Sequence, residues 1–261
     1  MAIGLLIIGD EILSGKRTDA HFPQVVKMLA ERGLQLGWAE YVGDDPARIT
    51  ATLRRTFATS DIVFSCGGIG ATPDDHTRQC AAAALGKELV LHPEAKIKIR
   101  QRIADAAAEL GEEPDYDAPD KLHRLKMGEF PAGAGIVPNP FNRIPGFSYA
   151  SHYFVPGFPE MAWPMIAWVL DTYYADSFHQ VPRAEKAMLL FDVAESTITP
   201  LMEQLEADFP QIKVFSLPSV GNANIGRHIE LGVKGEPSQV EAAFAIMLKH
   251  VQQYGTEIRL L

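Results

Sequence analysis

Between residues 3 and 85 the chain alternates short apolar, β-branched runs with amphipathic stretches, and this alternation constrains the fold more than any other feature. Ile3–Ile8 reads as a strand, His21–Glu31 as a helix stopped near Gly33, and Leu34–Val42 as a second strand. Pro46–Ala58 then reads as helix, Asp61–Ser65 as a buried strand, and the residues up to Leu85 as a helix stopped by Gly86. A β-α-β-α-β-α order predicts an α/β fold with a largely parallel sheet covered by helices on both faces. Ligands in such folds bind beyond the C-terminal ends of the strands. Three polar loops fall there: Gly9-Asp10-Glu11, Gly43-Asp44-Asp45, and the run from Cys66 to Thr77.

That last run, Cys66-Gly67-Gly68-Ile69-Gly70-Ala71-Thr72-Pro73-Asp74-Asp75-His76-Thr77, joins a glycine-rich turn to two carboxylates. Asp74 or Asp75 is expected to cap the helix that follows. Backbone N–H groups at such a turn favour an anion, so Gly67, Gly68 and Gly70, with Thr72 and Thr77, are candidate phosphate ligands. Two aspartates would repel a bare phosphate, and a divalent cation between carboxylates and phosphate oxygens resolves the conflict. A turn followed by a capped helix needs only one glycine and one Asp, fewer than stand here. Asp44-Asp45-Pro46 has a simpler reading, with Asp45 as an N-cap before Pro at the first helical position. Asp10-Glu11 reads equally as a solvated turn or as part of the acidic crevice.

Further along, His92–Leu110 reads as helix and Glu112–Asp120 as a mobile connection, a candidate lid. Gly135–Val137 and Tyr153–Val155 are expected to complete the sheet, each followed by a Pro-, Gly- or Asn-rich loop, before a helix containing Met165–Tyr173. The pattern resets around Asp176–Arg183. Beyond it, strand, helix, two strands, helix and a last strand at Glu257–Leu260 give the β-α-β-β-α-β order of ferredoxin-like domains.

A net charge of −9 argues against a nucleic-acid partner. Cys66 and Cys80 lack metal-ligand spacing and read as reduced thiols of a cytoplasmic protein. The apolar runs are too short or too interrupted to export or anchor the chain, so no membrane partner is expected. Gly9 to Gly15-Lys16 fails as a Walker loop, having five residues between the glycines and Arg17 where Ser or Thr belongs. A dinucleotide fingerprint fails as well, because Pro73 stands where its third glycine belongs. His76 can orient a water or face solvent, and Lys16, Arg17 and Arg143 can approach anionic oxygens.

Four ordered segments carry a resemblance: Gly9-Asp10-Glu11-Ile12-Leu13-x-Gly15, Val42-Gly43-Asp44-Asp45, Gly67-Gly68-Ile69-Gly70-x-Thr72-x-Asp74-Asp75-x-Thr77 and Pro156-Gly157-x-Pro159-Glu160-Met161. Together they resemble the N-terminal part of the CinA competence-damage family, within the wider molybdopterin-binding (MoaB/Mog) family. Residues from about 187 onward, with Glu195-Ser196-Thr197 and Leu217-Pro218, are similar to the small KH-like domain that follows in CinA proteins. The resemblance implies a three-layer α/β/α domain over residues 1–175 and an α+β domain over 184–261. It implies a pterin or nucleotide ligand, with cleavage of the ADP-ribose pyrophosphate dependent on a divalent metal (Mg, Mn or Co), and self-association into a homo-oligomer.

Carried over by position, the expected catalytic residues are Asp74, Asp75 and Glu11, and the expected metal ligands are Asp10, Asp44, Asp74 and Asp75. Gly67, Gly68, Gly70, Thr72 and Thr77 form the cradle, with Asn139, Pro145 and Gly146 opposite. The chain departs from the family at His21 (usually Asn), Ala71 (usually Pro) and Asn142-Arg143 (usually Gly-Thr), all near the expected pocket. The nicotinamide-mononucleotide deamidase domain of full-length CinA proteins is not among these residues, and that activity is not expected. A non-hydrolytic molybdopterin-binding protein is the alternative.

Overall fold

The computed structural model describes residues 2–222 and 225–261, and the chain divides into two compact units, 1–178 and 179–261. The first unit contains β1 (Ile3–Ile8), α1 (Asp10–Leu13), α2 (His21–Ala30), β2 (Trp38–Val42), α3 (Pro46–Phe57), β3 (Ile62–Cys66) and α4 (Thr77–Leu85). It continues with β4 (Leu89–Leu91), α5 (Pro93–Leu110), α6 (Pro119–Leu125), β5 (Glu129–Pro131), β6 (Gly135–Val137), β7 (Gly146–Tyr149), β8 (His152–Val155) and α7 (Pro159–Tyr173). The main sheet has the order β2-β1-β3-β8-β7-β6, and its first four strands run parallel. β7 runs against both of its neighbours, and β4 and β5 form a separate antiparallel pair.

Alternation along the strands produces the layers. Ile3, Leu5 and Ile7 of β1 pack with Val25 and Leu29 of α2 and with Met165 and Val169 of α7. Leu6 and Ile8 point the other way, onto Ile49 and Leu53 of α3 and Ala81 of α4. All six residues of β1 are buried, as expected of a strand covered on both faces. At roughly 25 cal/mol per Å² of apolar surface removed from water, these two clusters are the main source of the unit's stability.

Three expectations need correction. β2 starts at Trp38 rather than Leu34, because Leu34 and Leu36 pack on the α2–α7 side and Gly37 N–H donates to the Ile3 carbonyl at 2.7 Å. The stretch expected to be loop through Asp120 already enters α6 at Pro119. Neither Asp74 nor Asp75 caps α4, whose N-cap position is His76 with no side-chain bond to the helix.

The second unit contains β9 (Ala184–Phe191), α8 (Glu195–Asp208), β10 (Ile212–Ser219), β11 (His228–Gly235), α9 (Pro237–Val251) and β12 (Ile258–Leu260). Its sheet is antiparallel throughout, in the order β10-β11-β9-β12. Met188, Leu190, Leu231 and Val233 form its core with Ile198 and Leu205 of α8 and Val240 and Met247 of α9. No described helix of the chain is long and apolar enough to cross a membrane.

Candidate functional site

Because β1, β2, β3 and β8 run parallel, the loops that follow them emerge along one edge of the sheet. They enclose a cleft of about 380 Å³. One wall is the glycine loop, Gly67–Thr72, with Asp74 and Asp75. Facing it are Gly9 and Glu11 after β1, Asp44 after β2, and Arg17. Asn139, Asn142, Ile144 and Pro145 also line it, with Met127, Phe158 and Met161 among its apolar lining.

The glycine loop is held by its carbonyls. Gly67 O accepts the buried Thr77 hydroxyl at 3.0 Å, and Gly68 O accepts Thr77 N–H at 2.9 Å. Gly70 O accepts Arg78 Nη2 at 2.6 Å, and Ala71 O lies 2.7 Å from His123 Nε2. The N–H groups of Gly68, Ile69, Gly70 and Ala71, by contrast, have no acceptor among the described residues. Carbonyls turned back into the protein and free N–H groups at a cleft wall make a cradle for an anion. Gly68 is required here: its φ is +67°, and a Cβ would overlap the Thr77 hydroxyl.

Asp75 closes this loop on itself, accepting Thr72 N–H at 2.9 Å as well as the Thr72 hydroxyl. Exposed Asp74 stays in the cleft, its carboxyl held below the usual carboxylate range by the Thr72 side chain, when that hydroxyl turns from Asp75 to Asp74, and by its own N–H.

The acidic loops are joined by a reciprocal clamp. Asp10 N–H donates to Asp44 Oδ2 at 2.9 Å, and Asp44 N–H donates to Asp10 Oδ1 at 3.1 Å. Partial burial pushes the Asp44 carboxyl upward; the Asp10 N–H opposes this, while the charges of Asp10, Glu11 and Asp74 reinforce it. A carboxylate in that position lacks a compensating cation. Hard oxygen donors on opposing loops suit Mg²⁺ or Mn²⁺ that also takes ligand phosphate oxygens, since Mg²⁺ sites seldom consist of protein ligands alone. Among the described residues the protein's side chains do not by themselves compose such a site, since no three His, Cys, Asp or Glu are gathered as a finished metal site.

The structure therefore brings Glu11, Asp44, Asp74, Asp75, Gly67, Gly68, Gly70, Thr72, Asn139 and Pro145 to one cleft. Asp10 stands behind Asp44, Thr77 is buried beneath the loop, and Gly146 is buried where a Cβ would overlap the Phe154 carbonyl. Arg143 is drawn away to Asp105, at 2.6 Å.

Sequence reasoning missed Arg78, which is 2% exposed and also donates to the carbonyls of Lys126 and Glu129. A charged residue on a helix gives no local signal that it will be buried. His123 was missed because it lies just past the Glu112–Asp120 connection, in a stretch that carries no motif. His21, 5% exposed, reaches the Gly157 carbonyl at 3.0 Å, and Asp19 accepts N–H bonds from His21 and Phe22 and the Tyr41 hydroxyl.

Residues 4–175 match the family described as a probable molybdopterin binding domain. A CinA-like protein of Syntrophotalea carbinolica is 29% identical over 79% of this chain and 50% of its own length. Another, from Geobacter sulfurreducens, is 32% identical over 82% of this chain and 53% of its own length. The chain thus spans about half the length of these curated relatives. Among solved structures, a CinA protein of unknown function from Thermoplasma acidophilum superposes with a TM-score of 0.55 at 24% identity, covering 66% of this chain and 98% of its own. At that identity the likeness establishes the fold alone.

Proposed function

Because the chain belongs to the probable molybdopterin binding domain family, we propose that its cleft binds a phosphorylated small molecule and hydrolyses the pyrophosphate of ADP-ribose or a similar nucleotide with a divalent metal. The observation that carries this reading is the row of N–H groups at Gly68–Ala71, unpaired among the described residues, in one cleft with Glu11, Asp44 and Asp74.

In this reading the N–H groups bind the phosphoryl oxygens and stabilise the charge that grows on them as the bond to the leaving phosphate breaks. Arg78 and His123 fix the loop so that those donors need not reorganise. Glu11 accepts the proton of the attacking water. A divalent ion, were one brought in with the ligand, would be held by Asp44 and Asp74 and would supply charge neutralisation and a water of lowered pKa. Met127, Phe158 and Met161 take up the ligand's less polar part.

Asp74→Asn tests the reading: turnover of ADP-ribose with Mg²⁺ or Mn²⁺ should fall at least about 100-fold, as for loss of a charge-stabilising group, with the chain still folded by circular dichroism. Undiminished turnover would remove Asp74 from the mechanism. Because the described acids do not assemble a finished metal site, a second reading has a specific basis: a non-hydrolytic binder of molybdopterin. Calorimetric titration separates the two, since saturable pterin binding without turnover of any nucleotide fits only the binder.

A further inference from the structure

A second cavity, of about 410 Å³, lies between α5 and the segment 138–145. It shares Asn139, Asn142 and Pro145 with the cleft, so this segment is a wall with one face on each space. The wall is stiff. Asn139 Nδ2 donates to Asn142 Oδ1 at 2.9 Å and to the Ile144 carbonyl at 3.0 Å, and Asn139 Oδ1 accepts Phe141 N–H at 3.0 Å. Asn142 Oδ1 also accepts Ile144 N–H at 3.0 Å.

This rigid wall presents Phe141 to the second cavity with 65% of its surface exposed and no ring partner among the described residues. Holding a large apolar ring in water on a locked backbone wastes its burial. Arg143, two residues on, holds φ at +65°, a left-handed conformation that residues with a side chain rarely adopt. In that conformation it meets Asp105 of α5.

On α5, positions 98, 102, 105 and 109 fall on one helix face and line the cavity. Asp105 is neutralised by Arg143, and Glu109 by Arg102 at 2.9 Å. Half-buried Lys98 has no acidic partner among the described residues. The cavity therefore offers an open aromatic face beside one uncompensated cation, with paired arginines around it. A nucleobase stacks on the first, and a phosphate answers the second.

We propose that this cavity, lined by Phe141, Lys98 and Arg102, is a binding subsite for a nucleoside 5′-phosphate, placed across the 138–145 wall from the glycine cradle. It goes beyond the proposed function: a nucleoside monophosphate here is a second ligand beside the pyrophosphate of the cleft, because one 5′-phosphate cannot lie on both sides of the wall. The two departures at Asn142-Arg143 then belong to this subsite. Asn142 locks the wall, and Arg143 disarms an acid that would otherwise repel phosphate.

The test is calorimetric titration of the full chain with AMP, using Phe141→Ala, Lys98→Glu and Asp74→Asn variants. Phe141 is exposed and Lys98 is only half-buried, and circular dichroism of each variant confirms that it is folded before titration. AMP should bind the native chain, weaken roughly tenfold in each of the first two variants, and change less than about twofold in Asp74→Asn. Absence of AMP binding, or binding indifferent to Phe141 and Lys98, overturns the subsite. If that pattern holds while ADP-ribose is never turned over, the hydrolytic reading fails and the subsite stands.

Discussion

The two acidic and glycine-lined walls of the cleft reach rigidity by opposite routes. The glycine loop is tied by its carbonyls to Thr77, Arg78 and His123, all outside it, which leaves its N–H groups free. The loops after β1 and β2 are tied to each other, with Asp10 and Asp44 exchanging backbone N–H bonds through their carboxylates. The first arrangement exports donors to the ligand. The second consumes donors internally and exports the remaining carboxylate oxygens. A wall built by the first route depends on distant residues, while one built by the second depends on its own.

The largest effect expected from breaking this comparison is at Arg78. Arg78→Met keeps much of the side chain's length but removes the donors that serve the carbonyls of Gly70, Lys126 and Glu129. Burial already pulls this guanidinium below its usual range, so its bonds are made in a poorly solvated setting. Loss of charged hydrogen bonds from buried carbonyls should destabilise the first unit by about 3 to 5 kcal/mol in urea denaturation. Ligand affinity should fall with it. A change below about 1 kcal/mol would show that the loop holds itself.

Gly68→Ala comes next. It forces a Cβ onto the Thr77 hydroxyl at φ +67° and should cost about 2 kcal/mol, with loss of phosphate binding. Neutral stability together with intact binding would contradict the geometry of the loop. On the acidic side, Asp45→Ala removes only the N-cap bond to Arg48 N–H, 2.7 Å long, and should cost about 1 kcal/mol without touching ligand affinity.

These contrasts also show what the sequence discloses. The parallel sheet was legible because β1 and β3 are continuous apolar runs, a pattern that requires burial on both faces. That three loops end neighbouring strands followed from the same reading, and Asp45 before Pro46 is a purely local signal. Arg78 was not legible, since two of its three carbonyl partners lie 48 and 51 residues away. Nor was the role of Asp75. An Asp before a helix usually caps it, yet here the Thr72 N–H and hydroxyl compete for the carboxylate and the helix starts two residues later. Locally encoded features were recoverable, and those decided by a distant backbone carbonyl or by a choice among nearby donors were not.

The smallest effect is also the one that separates the two walls by charge. Asp44 has its carboxyl raised in the folded chain, first by burial and then by Asp10, Glu11 and Asp74. The unfolded chain therefore releases this proton at lower pH than the folded one. As pH rises from about 4 through the folded value, the unfolded state gains relative stability. The loss should stay below about 1 kcal/mol, because the carboxylate is only half-buried and solvent screens it. Asp74, on the glycine wall, is shifted downward and contributes the opposite slope, so its stabilisation is present above about pH 4 and disappears on acidification. Thermal midpoints measured from pH 3 to 7 should rise at the upper end in Asp44→Asn relative to the native chain, whereas Asp74→Asn should show no such gain. If millimolar Mn²⁺ closes the gap between native and Asp44→Asn chains, the missing positive charge sits on the acidic wall; an unchanged gap places no ion beside Asp44.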